Sequence, residues 1–155
     1  MFAADTARAA DTADVTALFQ RLSDAWGAMD AEAYADAFTD DADYVTFVGT
    51  HLRGRRQIVD AHAALWEHFQ KNTTLYGKIR SLRFVTADVA VMITEGAVLK
   101  HGKTAPKPAD LKVQTLVAVR RPEGWRFSGF QNTKHRRLME KIAAKKDARI
   151  APEAR

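Results

Sequence analysis

Residues 111–133 read LKVQTLVAVRRPEGWRFSGFQNT, and this stretch decides the fold. Val113, Thr115, Val117 and Val119 alternate with a second set of side chains, as they do in a pleated strand. Pro122-Glu123-Gly124 then supplies a tight reversal, and aromatic residues resume at Trp125, Phe127 and Phe130. The reading is a hairpin of two antiparallel strands, Leu111–Arg120 and Trp125–Thr133.

Upstream, Leu75–Phe84 and Val89–Leu99 have the same texture, with Thr86-Ala87-Asp88 as the turn between them. Residues 100–110, with Pro106 and Pro108, form a loop expected near a pocket mouth. Earlier still the period changes from two to 3.6. Val15, Leu18, Phe19, Leu22, Trp26 and Met29 make one helical stripe after a cap at Asp11 or Asp14. Asp30 caps a short second helix that places Tyr34 and Phe38 on one face, and Thr39-Asp40-Asp41 is expected to break it. Asp43–Val48 reads as a strand, with His51–Arg53 pairing back. Gly54 opens a third helix ending near Lys71, with Ile58, His62, Leu65 and Phe69 on one face.

Helices followed by hairpin-linked strands predict an α+β fold: a strongly curved, cone-shaped antiparallel sheet with three N-terminal helices on its concave face. Curvature leaves a hollow that the helices do not fill, and that hollow is the expected pocket. The predicted domain spans 11–134, between a frayed segment 1–10 and a basic helical tail 135–155.

With 155 residues the chain accommodates one core. No apolar run approaches the roughly 20 residues that span a bilayer, so no membrane partner is expected. No secretory signal is readable, which makes a cytoplasmic location the expectation. The absence of cysteine excludes disulfides, thiolate catalysis and cysteine metal sites. Net charge is +5. Residues 1–50 hold 10 acids against 2 bases, whereas 101–155 hold 14 bases against 5 acids. The tail bases lack the interleaved aromatics that stack on bases, so nucleic acid is not the expected partner.

Trp26-Gly27-Ala28-Met29-Asp30 followed by Phe38-Thr39-Asp40-Asp41-Ala42-Asp43-Tyr44 resembles the SnoaL-like branch of the nuclear-transport-factor-like superfamily. Leu52-Arg53-Gly54-Arg55, Ile58, Ala61-His62, Gly124-Trp125-Arg126-Phe127 and Phe130-Gln131-Asn132-Thr133 are similar to the SgcJ/EcaC family. The resemblance covers about residues 12–134. It implies a curved antiparallel sheet, three helices, often a homodimer, and no agreed chemistry; the hollow itself makes a small-molecule ligand the expected partner. Relatives carry the label oxidoreductase, yet no G-x-G-x-x-G follows a strand here, so no nucleotide cofactor is expected. Cousins include cyclases, isomerases and dehydratases beside non-catalytic association modules.

His62 is the first candidate for chemistry, as proton-transfer group or as a core histidine bonded to a backbone carbonyl. The period of Phe127, Gly129 and Gln131 turns Gln131 and Thr133 toward the hollow, and Asn132 toward the convex side. Gln131 and Thr115 are then the groups that orient a carbonyl or hydroxyl. Thr115, or Gln114, occupies the region where ketosteroid isomerases hold an acid donor, and Thr46 lies about where those enzymes place a carboxylate base. Threonine is no base at neutral pH, so that mechanism lacks support. Glu95 is either a base inside the cone or an ion-pair partner outside it. Trp26, Tyr44, Trp66 and Phe69 line a pocket or fill the core. His62, Glu67 and His68 lack the His-Glu-x-x-His order, so no metal is expected. The predicted role is cofactor-free acid–base chemistry on an apolar, oxygen-bearing molecule, with a dimeric ligand-binding or association module as the alternative.

Overall fold

The computed structural model describes residues 2–152. Its elements, in order, are α1 (Phe2–Gly27), α2 (Ala31–Asp36), β1 (Phe38–Val45), β2 (His51–Arg53), α3 (Gly54–His68), β3 (Thr74–Phe84), β4 (Val89–Leu99), β5 (Lys112–Arg121), β6 (Gly124–Lys134) and α4 (Arg137–Lys146). The six strands form one sheet in the order β2-β1-β6-β5-β4-β3. Every pairing is antiparallel except that of β1 with β6, which run parallel. The chain re-enters the sheet beside β1 only after α3 and three further strands, and a return of that length allows parallel pairing. The α+β cone with its curved sheet and covering helices is as expected.

Several boundaries differ from the sequence reading: β1 ends at Val45 rather than Val48, α3 ends at His68 rather than near Lys71, and Phe38 lies in β1 rather than on the second helix. Residues 2–10, expected to fray, continue α1, because the alanines there favour the helix. β1 starts at Phe38 rather than Asp43, so Thr39-Asp40-Asp41 lies within a strand. The register between β1 and β6 slips in that stretch, and Asp40 and Asp41 stay exposed, so strand entry buries no carboxylate. The tail helix begins at Arg137 rather than Lys134, since β6 runs on to Lys134.

The core is aromatic and aliphatic. Phe38, Phe127, Leu18, Ile58, Met92 and Leu116 are its largest fully buried side chains, each contributing roughly 1.5–3 kcal/mol by leaving water. Polar ties also hold helices to sheet, two of them outside the cavity floor. Asp11 accepts from Arg120 at 2.7 Å and from the Trp125 indole at 3.3 Å, anchoring α1 over β5 and β6. Arg55 Nη2 donates to the Phe38 carbonyl at 2.6 Å, anchoring α3 to β1. Gly54 makes the sharp entry into α3 possible: its φ is +76°, and a Cβ there would stand 2.8 Å from the Asp40 carbonyl oxygen.

Candidate functional site

Between the helices and the concave sheet lies a cavity of about 550 Å³. Its floor is cut from α1 (Leu22, Trp26), α2 (Tyr34), β1 (Tyr44), α3 (His62) and β6 (Phe130). Phe47, Val48, Thr50, Lys100 and Asp110 are lining residues exposed to solvent, and they mark the mouth. The floor is held by ring packing: Tyr44 stacks on Phe130 at 4.2 Å, and Tyr34 lies over His62 at 4.2 Å. Trp26 meets His62 edge-on at 6.0 Å and is fixed by its indole N–H, which donates to Thr73 Oγ1 at 2.9 Å.

The polar atoms of this floor have a direction. His62 Nδ1 lies 2.8 Å from the Ile58 carbonyl one helical turn earlier. A carbonyl only accepts, so Nδ1 carries the proton and Nε2 is left with a lone pair. Tyr44 Oη is 3.4 Å from that Nε2 and 3.0 Å from Tyr34 Oη. The consistent chain of donors is Tyr34 to Tyr44 to His62. Burial pulls the His62 imidazole down to about 4, against a smaller upward pull from its bond to Ile58, so the ring is neutral at pH 7. Burial pushes the Tyr34 phenol up to about 12. It raises Tyr44 well above its ordinary range too, with the neighbouring Tyr34 adding to the effect. All three groups are therefore neutral, and His62 Nε2 is the basic atom among them.

The sheet side of the cavity carries a polar row. Thr94 on β4, Gln114 on β5 and Asn132 on β6 are successive cross-strand partners. Thr94 Oγ1 donates to Gln114 Oε1 at 2.6 Å, which leaves the Gln114 amide N–H groups without a partner among the described residues. Asn132 Oδ1 is enclosed and unpartnered. An orphaned buried acceptor costs roughly 1–3 kcal/mol, and a ligand donor would remove that penalty.

No protein-family model matches the sequence, and no curated protein aligns with it. A structure of an uncharacterised cystatin-like protein from Caulobacter vibrioides shares 30% identity with this chain, covers 90% of it and 96% of its own length, and superposes with a TM-score of 0.72. The chain belongs to the family of this cystatin-like-fold protein. A second cystatin-like structure, a domain of unknown function from Nostoc punctiforme, is 29% identical over 93% of this chain and 89% of that one, with a TM-score of 0.78. Hexachlorocyclohexane dehydrochlorinase LinA-type3 from Novosphingobium barchaimii shares the fold at 22% identity and a TM-score of 0.69, over 84% of this chain and 90% of that one.

Within this nuclear-transport-factor-like cone the predicted site residues separate into two groups. His62, Trp26, Tyr44, Thr46, Gln114 and Asn132 line the cavity. The others do not. Thr115 and Gln131 are exposed cross-strand partners on the opposite face of the sheet, and Thr133 is exposed as well. Thr115 simply alternates with the buried Leu116 on β5, and for Gln131 and Thr133 the physical reason is a bulge. Val117 pairs with Gly129 and Ala118 with Phe127, so Ser128 is an extra residue on β6. One inserted residue reverses the alternation beyond it, turning Phe130 and Asn132 inward and Gln131 and Thr133 outward. Glu95 also faces away from the cavity, paired with Arg80. Phe69 ends α3 and is 80% exposed, because the helix stops before it and its backbone leaves the stripe. Trp66 is core behind the floor, packed against Trp26 at 5.3 Å.

Among the lining residues that sequence reasoning missed, three bear on the chemistry. The sequence pattern pairs Tyr34 with Phe38 on one face, although its hydroxyl needs a buried partner. Lys100 and Lys112 went unremarked; Lys112 shares a strand face with Gln114, which was the available signal.

Proposed function

We propose that this protein is a cofactor-independent acid–base catalyst whose substrate is a small, mostly apolar, oxygen-bearing molecule held in the cone. The chemistry is of the isomerase, cyclase or dehydratase kind. One observation carries the reading: a neutral histidine with its Nε2 lone pair fixed by the Ile58 bond lines the same cavity as unpartnered amide groups. Substrate displaces the long 3.4 Å Tyr44 contact, and the freed His62 Nε2 takes a proton from carbon next to a carbonyl. The electron pair moves onto the carbonyl oxygen, where the Gln114 N–H groups stabilise the charge. Asn132 Oδ1 accepts from a substrate hydroxyl or amine. The proton held on His62 then returns at another carbon or leaves with a departing hydroxyl. The LinA neighbour, named as a dehydrochlorinase, supports proton-abstraction chemistry in such a cone. The motifs at 52–55 and 124–127 support the SnoaL-like SgcJ/EcaC branch, and we read the protein as a cytoplasmic homodimer.

The test is solvent-deuterium exchange into 2-tetralone, a compact ketone with acidic C–H bonds, followed by NMR. Accelerated exchange that falls by about 10²-fold or more in His62→Gln is expected. Exchange that is unchanged in a folded His62→Gln protein removes the catalytic role.

A second reading has its own support. The imidazole leans on a backbone carbonyl and no carboxylate among the described residues touches it, so an imidazolium would have little beyond the Ile58 carbonyl to stabilise it. A ligand-binding or association module needs no such stabilisation. Saturable 2-tetralone binding without any exchange would favour it.

A further inference from the structure

The mouth of the cavity has a charge imbalance that proton transfer does not use. Lys112 begins β5 and points the same way as Gln114, two residues deeper on the same strand face. Lys100 follows the end of β4 and lines the same lip. Lys134 is the cross-strand partner of Lys112, so two like charges stand side by side on neighbouring strands. Such a pair is unfavourable unless something anionic relieves it.

Nothing in the described residues does so fully. Lys100, Lys112 and Lys134 form no ion pair there. The Lys112 ammonium reaches only the Asp110 carbonyl oxygen at 3.3 Å and the Phe47 ring at 5.0 Å. Asp110 is the one acidic residue among the lining, and it leaves the lip with a net positive charge. Partial burial holds the Lys112 ammonium below the usual lysine range; Asp110 opposes that shift and Lys134 adds to it. A half-buried ammonium between a second lysine and an aromatic ring, at the edge of an apolar hollow, is arranged to receive an anion.

We infer that the ligand is an apolar acid, its ring or chain skeleton seated among Trp26, Leu22 and Phe130 and its carboxylate held at the lip by Lys112 and Lys100. The inference rests on the pocket reading above and narrows it to one substrate class. A carboxylate suits the lip better than a dianion, since Asp110 already offsets part of the charge. The amide row lies just below, so a second oxygen of the ligand would meet Gln114 and Asn132.

Matched probes test this. Titration calorimetry at low salt compares 2-naphthoate with 2-naphthamide, which has the same skeleton without the charge, and inorganic phosphate controls for simple anion binding. The acid should bind about tenfold tighter than the amide, and added salt should narrow the gap. Lys112→Met should bring the acid down to the amide's affinity while leaving the amide unchanged, with thermal melting confirming the fold. Lys100→Met, at an exposed position, should act in the same direction. Equal binding of acid and amide overturns the proposal and leaves the pocket reading standing. Phosphate binding as tight as naphthoate also overturns it, and failure of both naphthalene probes to bind sinks the two readings together.

Discussion

His62 Nδ1 lies 2.8 Å from the carbonyl oxygen of Ile58, one turn back along α3. That single bond fixes the tautomer, points the Nε2 lone pair toward Tyr44, and keeps a buried ring satisfied without charge. It also makes folding sensitive to pH.

The unfolded chain takes up a proton at this histidine near pH 6.5, while the folded protein resists until about 4. Stability is therefore fully present above 6.5 and declines as the pH falls toward 4. The loss should reach roughly 3 kcal/mol. Urea unfolding at pH 7.5, 5.5 and 4.5 measures it, and His62→Leu should flatten the slope in that window. A wild-type slope that His62→Leu leaves untouched would assign the proton uptake elsewhere.

Removing hydroxyls from the relay should have graded effects. Tyr34→Phe leaves Tyr44 free to donate to His62 and should cost about 1 kcal/mol. Tyr44→Phe strips both neighbours of their partner and should cost about 2 kcal/mol. Equilibrium denaturation of the two variants checks the order. Equal costs would mean that the long Tyr44–His62 contact contributes nothing to stability.

Gly96 offers a way to disturb the amide row without touching its residues. A Cβ at Gly96 would stand 2.7 Å from Gln114 Nε2, so Gly96→Ala must push that amide aside. Weaker 2-tetralone binding is expected, with a stability loss of about 1–2 kcal/mol from crowding. Thr115→Ala and Gln131→Ala, on the exposed face, should leave binding unchanged and stability within about 0.5 kcal/mol. Loss of binding in either surface variant would contradict the placement of these strands.

Gly54→Ala should destabilise by about 2 kcal/mol or more. The residue holds a left-handed φ, and the added carbon would press on the Asp40 carbonyl. Thermal melting reads the loss. A neutral outcome would require α3 to be entered by a different backbone path.

The order of helices and strands was legible along the chain because each depends on local periodicity. A helix with Ile58, His62 and Leu65 on one stripe must turn that stripe to an apolar layer, so the histidine was certain to be buried with it. Trp26 and Tyr44 followed by the same logic. The partners of these residues were less accessible. Tyr34, Tyr44 and His62 come from three elements, and only their packing brings the three polar atoms together.

Local sequence thus determined which segments are helix or strand, that the sheet is covered by helices, and that an imidazole sits under it. Tertiary structure decided which strand faces look into the cavity. The reason is the extra residue Ser128: strand alternation has period two, so one bulge exchanges inside for outside along everything that follows. Its position depends on how β6 meets β5 across the sheet. Asn132 consequently reaches the ligand space while Gln131 meets water, whereas Gln114 and Thr115 take their sides from the unbroken alternation of β5.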